Sequence, residues 1–457
     1  MSPFRRLVPA IGAALALACL PASAADDQTT LVYPPFGHCL GIHKVTDFHR
    51  FIYLGARTQI DDPAGIAAVK LESKDDPSTE GDDDELTVFG LNSGRCEIIF
   101  NTSIYEADIY GGCGSGEGQF RAPLGIAADP DGNVFVADTG NDRVVRLLYD
   151  DDSLRWIKVF NAAGPGEGTL SRPAEVALGA SGTLYVCDAG NDRVVVMSPE
   201  GEHRMTIYGD ADAGLKLEGP LGLACVEADD PWISRHRDFI AVSDRGGQRL
   251  STFDREGNLL HSIVSTDVPA DGARFESLAI DFYGNVYATD RAGGRIHKLD
   301  RELRYVTSFG RSGAGNGEFD EPRGITLWKR FGQVFVTERS GAQYLWIGTD
   351  ILDLMIEPGR LRPGGGPAWI SYRLTETSRV TIEVVDGRGR TVATLVSDRR
   401  RPTGANTERW DGARGADGPL SPGDYAIRVR ARPTYSSGKY FHDNEESPFY
   451  VTEPAAP

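Results

Sequence analysis

The sequence predicts an all-β chain, a six-bladed β-propeller followed by an immunoglobulin-like β-sandwich. Three observations carry that prediction. A motif returns every 46 to 56 residues through the middle of the chain, 54 of the 457 residues are glycine, and the composition changes after a Gly/Pro-rich stretch near residue 360. Glycine averages about 7% of globular sequences, and here it follows no Gly-x-y period, which excludes collagen and points to turns. The 40% apolar content is too high for a disordered chain and sufficient for more than one core. The formal charge of −18 argues against a nucleic-acid partner, since that binding requires Lys and Arg to neutralise phosphates.

The N-terminus places Arg5 and Arg6 before an apolar run from Leu7 to Leu20 and ends in Ala22-Ser23-Ala24. This is the pattern of a secretory signal peptide over residues 1–24. Ala16-Leu17-Ala18-Cys19 forms an imperfect lipid-attachment box, so a lipoprotein is the rival reading. No later stretch approaches 18 consecutive apolar residues, so the mature chain is expected to be exported without a transmembrane segment, to the periplasm, the outer surface or the medium. Five cysteines then remain. One pair among Cys39, Cys96 and Cys113 suits an oxidising compartment, whereas Cys187 and Cys225 lie in apolar strand patterns and read as core.

Residues 25–62 lead into the repeats, and residues 63–356 hold six copies. Residues 114–147 (GSGEGQFRAPLGIAADPDGNVFVADTGNDRVVRL) align with residues 164–197 (GPGEGTLSRPAEVALGASGTLYVCDAGNDRVVVM), and later copies run through 219–253, 277–299 and 315–347. Asp138, Asp188, Asp244, Asp290 and Glu338 occupy one position of the repeat, and Arg143, Arg193, Arg249, Arg295 and Gln343 follow five residues later. A weaker first copy carries Gly90 and Arg95 there. Each copy contains four short runs of Val, Ile, Tyr and Phe separated by Gly, Asn and Asp turns, which is one propeller blade. Because the acidic and basic positions recur from copy to copy, these residues are expected to tie strands together rather than to catalyse a reaction.

Residues 123–144 match the pattern P-x-G-I-A-x-D-x-x-G-N-V-x-V-A-D-x-x-N-x-R-V, which resembles the NHL repeat. That resemblance implies a six-bladed, NHL-type propeller over residues 63–356. The peptide-amidating lyases share such blades and hold zinc through histidines. In this chain His203, His236, His261 and His297 fall at non-equivalent repeat positions, and no cofactor is evident, although a divalent cation (calcium or zinc) belongs to the enzyme alternative.

Two copies carry long insertions in their first hairpin: 22 residues separate Ala68 from Gly90, and 19 separate Cys225 from Asp244, where 10 is usual. The first insertion is acidic from Lys74 to Glu85. The second runs Asp230-Pro-Trp-Ile-Ser-Arg-His-Arg237. Variable loops on a rigid scaffold are frequent binding sites, so Trp232, Arg235, His236 and Arg237 are the candidate contacts with a protein or small ligand at the propeller face, the two insertions facing each other across it.

Residues 357–366 read as a Gly/Pro linker. From residue 359 onward 15 Lys and Arg stand against 12 Asp and Glu, while the first 358 residues carry 33 against 54. Residues 367–457 alternate as short strands with hairpin turns, the pattern of a sandwich. Trp410-Asp411-Gly412 and Pro422-Gly423-Asp424-Tyr425 resemble the immunoglobulin-like domain of flagellar hook-capping proteins over residues 367–453. The resemblance implies an assembly or surface-display module with an envelope or surface partner, and Trp410 is expected in its core. The reading that results is an exported binding or scaffold protein. The alternatives are a metal-dependent lyase or lactonase-like enzyme with its site in the channel, and a purely structural surface protein.

Overall fold

In a computed structural model, the structure describes residues 28–453 except 40–41, 76–85, 104–105, 165, 167, 363–365 and 413–417. The signal-peptide and lipid-box readings, and most of the acidic insertion, lie outside the described residues. The protein is all-β. Among the described residues no helix is long and apolar enough to cross a membrane.

Six antiparallel sheets follow one another along the chain. Sheet one holds Pro63–Lys70, Leu86–Asn92, Glu97–Ser103 and Glu106–Gly111. Sheet two holds Ile126–Ala128, Asn133–Asp138, Arg143–Asp150 and Ser153–Phe160. Sheet three holds Pro173–Leu178, Leu184–Asp188, Arg193–Met197 and His203–Ile207. Sheet four holds Gly222–Val226, Phe239–Asp244, Arg249–Phe253 and Leu259–Val264. Sheet five holds Leu278–Ile280, Val286–Asp290, Arg295–Leu299 and Tyr305–Phe309, and sheet six is built on Ile325–Trp328, Gln333–Glu338 and Gly341–Ile347. Within sheets one to five the strands occur in chain order, as short hairpin turns require.

The first strand of each sheet touches the first strand of the next, and that of sheet six touches that of sheet one, which closes a ring. Apolar clusters fill the spaces between consecutive sheets. Phe89, Phe100 and Val136 join sheets one and two, Phe135 and Val186 join two and three, and Val194 and Val242 join three and four. Leu250 and Val286 join four and five, and Tyr287 and Val334 join five and six. A strand covered on both faces loses the alternation of a half-exposed strand. Leu184–Asp188 and Val286–Asp290 are accordingly buried at every residue.

The sequence does not announce how the ring closes. Leu31–Val32 pairs antiparallel with Ile347 and Trp346, giving sheet six its outer strand, and Lys44–Val45 pairs with Gln343 and Ala342 on the same edge. The N-terminal segment is thus part of the last sheet. Thr29 N donates to Asp350 Oδ1 at 2.5 Å and Thr29 Oγ1 to the Thr349 carbonyl at 2.6 Å. Between these strands and sheet one lies the helix Asp47–Leu54. Arg50 fastens it by donating to Asp47 at 3.0 Å and to the Gly55 carbonyl at 2.6 Å. A disulfide joins Cys96 to Cys113, while Cys187 and Cys225 are buried thiols and Cys39 is half-buried.

A three-stranded sheet (Ile351–Glu357, Ala368–Leu374, Gly404–Trp410) and a five-stranded sheet enclose a second core around Ile370, Ile382, Val429, Trp410 and Phe449. The five-stranded sheet runs in the order Arg360–Leu361, Asp443–Val451, Gly423–Pro433, Ser378–Asp386, Thr391–Arg401. Ile351–Glu357 therefore pairs with the C-terminal unit instead of completing the sixth repeat. Nor is the Gly/Pro stretch wholly free, because Arg360 and Leu361 lie parallel to Tyr450 and Val451.

The two units meet over a buried surface. Tyr435 enters the apolar cluster of sheets five and six, and its hydroxyl accepts a hydrogen bond from Phe282 N at 3.1 Å. Lys298 of sheet five, 1% exposed, places Nζ 2.5 Å from Oε2 of Glu376 and 4.0 Å from Oδ2 of Asp281, and both carboxylates are fully buried.

Candidate functional site

The repeated carboxylates sit where each second strand ends. Asp188 accepts Ser171 N at 2.6 Å, Asn191 Nδ2 at 2.9 Å and Arg193 Nε at 2.7 Å. Asp138 accepts Arg121 N at 2.7 Å, Asn141 Nδ2 at 2.8 Å and Arg143 Nε at 2.7 Å. Arg249 Nε donates to Asp244 at 2.8 Å. These bonds satisfy backbone groups and fix the turn into the third strand. The pattern breaks in the last two sheets. Arg295 Nε donates to the Gly293 carbonyl at 3.1 Å, and Asp290 faces His297 Nε2 at 3.2 Å. In sheet six Gln343 donates to Glu338, with Lys44 at 3.6 Å.

The inner ring is stitched by a second set of contacts that sequence reading missed. Thr139 Oγ1 donates to the Pro173 carbonyl at 2.7 Å, Ser243 Oγ to that of Glu276 at 3.0 Å, and Thr289 Oγ1 to that of Arg323 at 2.7 Å. Ser93 donates to the Pro123 carbonyl and Thr337 to that of Ala64. Sheet three uses the Cys187 thiol, 3.9 Å from the Gly222 carbonyl. Burial, and then Glu175, push that thiol well above its ordinary titration range. The first strands approach so closely that a Cβ on Gly222 would stand 1.9 Å from the Glu276 carbonyl, and one on Gly324 2.4 Å from that of Ala64.

Sheet three carries Glu175 at the equivalent position. Its side chain is half-buried, and desolvation, the largest influence on its carboxyl, pushes its titration up to about 8 against the opposing Val176 and Ile126 amides. An unfolded glutamate titrates near 4.3, so the folded state binds this proton more tightly. The resulting stability is complete below about pH 4 and is lost as pH rises through about 8. Glu175→Gln is expected to match the parent protein at pH 5 and to exceed its unfolding free energy by at least about 1 kcal/mol at pH 9, in urea titrations. An equal stability at both pH values would contradict the assignment.

The structure separates the candidate residues of the second insertion. Trp232 is half-buried, with the Arg330 guanidinium 5.0 Å from its ring centre, and Asp230 beside it pairs with Lys329 at 2.6 Å. Arg235, His236 and Arg237 are exposed in a different cleft of about 810 Å³, shared with Arg255, His261 and Glu256. Arg301 holds this turn by donating to the carbonyls of Arg235 at 3.2 Å and Arg237 at 2.9 Å. The acidic insertion expected opposite lies outside the described residues over 76–85. Of the histidines, His236 and His261 share the cleft, His203 bonds Thr206 at 2.9 Å, and His297 is buried. Among the described residues no three His, Cys, Asp or Glu converge as a metal site.

An apolar cavity of about 560 Å³ lies between sheets one and six beneath the N-terminal segment. Tyr53 and Leu54 of the helix, Val88 and Phe100 of sheet one, and Phe335 and Tyr344 of sheet six line it. The last two rings stack 4.8 Å apart. Arg50, Asn101 and Gln343 place polar groups at its wall. No repeat motif marks this site, because its walls come from three separate segments.

The family model of the NHL repeat matches residues 120–147, which cover the first two strands of sheet two and most of the third. No curated protein matches the chain. Among solved structures, the chain is similar to virginiamycin B lyase of Staphylococcus aureus at 16% identity, over 58% of this chain and 78% of that one, with a TM-score of 0.40. A gluconolactonase of Xanthomonas campestris is similar at 14% identity, over 70% and 96%, with a TM-score of 0.45. PorZ, a bacterial surface component of the type-IX secretion system of Porphyromonas gingivalis, is similar at 14% identity, over 85% of this chain and 51% of that one, with a TM-score of 0.43.

Proposed function

We propose that this is an exported binding and scaffold protein. The six ringed sheets are read as the blades of a six-bladed, NHL-type propeller over residues 63 to about 350, and the C-terminal unit as an immunoglobulin-like sandwich that docks to an envelope or surface assembly. The observation that carries the binding role is the 560 Å³ cavity with aromatic walls and few polar groups. A site of that size and lining takes a small apolar ligand, which the polar groups at its wall orient. The Cys96–Cys113 bond supports an oxidising destination.

A neutral apolar fluorophore, N-phenyl-1-naphthylamine, is expected to bind saturably at one site with a dissociation constant of about 10 μM or tighter. Ala107→Phe, which adds a ring to the cavity wall, should weaken that binding at least about tenfold. Non-saturable binding, or an unchanged affinity in the variant, would refute the reading.

A further inference from the structure

A second concave site lies where the C-terminal unit meets sheet five. It has a volume of about 330 Å³ and is lined by Arg379, Arg400, Arg432 and Lys439 together with Tyr283 and Tyr435. Among the described residues no carboxylate lines it.

The register of the five-stranded sheet explains the clustering. Arg379 pairs directly with Arg400 on one neighbouring strand and with Arg432 on the other. Directly opposed residues share a face, with Cβ atoms about 5 Å apart, and like charges placed so repel. Three arginines in one row across adjacent strands therefore carry a cost that a purely structural sheet has no reason to keep. Asp398 offsets part of it, accepting from Arg432 Nη2 at 2.7 Å and Arg379 Nη1 at 3.2 Å. That single carboxylate leaves the four cations with a net excess of positive charge. Arg400 has its guanidinium 4.9 Å from the centre of the Tyr283 ring. Tyr283 Oη and Thr434 Oγ1 lie 2.5 Å apart, which braces the hairpin of sheet five against the cleft. The walls thus come from both units and are held by the buried Tyr435 contact.

We propose that this junctional cleft binds a phosphate-bearing oxyanion, whose negative charge relieves the arginine row. Planar guanidinium groups match phosphate oxygens in paired hydrogen bonds, and the lysine adds a mobile charge. The acidity of the chain belongs to its first 358 residues, so the cleft stands in the net-basic unit beside a strongly acidic ring and concentrates positive charge where the two meet. The source is either a soluble phosphate compound or a lipid headgroup. The inference does not depend on the apolar cavity.

The test uses the mature full-length protein and inorganic pyrophosphate in calorimetric titration at low salt. The expected result is one-site binding that weakens with added salt and falls at least about tenfold in Arg400→Gln/Arg432→Gln, since each loses charged hydrogen bonds to the anion. Arg390→Gln, an exposed arginine outside the cleft, should keep the parent affinity. Sedimentation with phosphatidylglycerol vesicles, against phosphatidylcholine alone, separates the sources. Capture lost in the double variant assigns a headgroup, and pyrophosphate binding without capture assigns a soluble phosphate. Failure to bind either probe, or equal weakening by Arg390→Gln, would overturn the proposal.

Discussion

Lys298→Met is expected to lower the unfolding free energy by about 3–5 kcal/mol, because it leaves Glu376 and Asp281 buried without their cation. Lys298 Nζ stands 2.5 Å from Glu376 and 4.0 Å from Asp281, and all three side chains are at most 1% exposed. Burial raises the Glu376 titration, Lys298 opposes that shift and Asp281 adds to it. A carboxyl whose folded value is raised contributes stability that is lost as pH rises through that value. Removing the lysine raises it further, so the deficit of the variant should be larger at pH 9 than at pH 5. Lys298→Met/Glu376→Leu, which removes the close pair and keeps its bulk, should recover most of the loss, since replacing both partners is far less costly than removing one. Urea titration of the three proteins at both pH values checks this. A single variant as stable as the parent would show that the two units do not depend on this contact.

The second large effect distinguishes repeat pattern from actual geometry. Arg193→Ala strips Asp188, which is fully buried, of the guanidinium that stands 2.7 Å from it. The expected loss is about 3 kcal/mol or more. Arg295 occupies the same repeat position, yet it donates to the Gly293 carbonyl and leaves Asp290 to His297. Arg295→Ala should therefore cost under about 1 kcal/mol. Thermal unfolding of the two variants side by side measures the difference. Equal losses would mean that the shared sequence position, rather than the observed pairing, governs stability.

Much of the ring was legible because its signals are local. Turn residues, strand composition and the recurring Asp and Arg mark the hairpins of sheets two to five without any tertiary information. The outer strand of sheet six was not legible. Leu31–Val32 is two residues long and pairs with residues more than 300 positions away, so neither periodicity nor repetition could place it. The same limit hid Lys298 and Glu376, which lie 78 residues apart on different units. Glu175 was different. Its departure from glycine at the repeat position is visible in the sequence, but its meaning depends on how closely the first strands approach, and only the ring shows that.

The candidate contacts of the second insertion lie in two different places in the structure. Trp232 turns toward Arg330 in the first hairpin turn of sheet six, while Arg235, His236 and Arg237 face the cleft beside Arg301. A loop that reaches across neighbouring hairpins divides its side chains between them, and spacing along the chain does not reveal that division. The arginine row at the junction was hidden for a related reason, since register between strands decides which charges meet.

The ligand proposed for this protein is a small apolar molecule held between its first and sixth sheets. A crystal structure of the mature protein grown with N-phenyl-1-naphthylamine decides whether it binds there. The probe is expected inside the cavity, against Phe335, Tyr344 and Tyr53 and beneath the helix Asp47–Leu54. A probe found instead on the exposed Phe48, Phe51 and Ile52 of that helix, or a cavity filled by the chain's own side chains, would contradict the proposal.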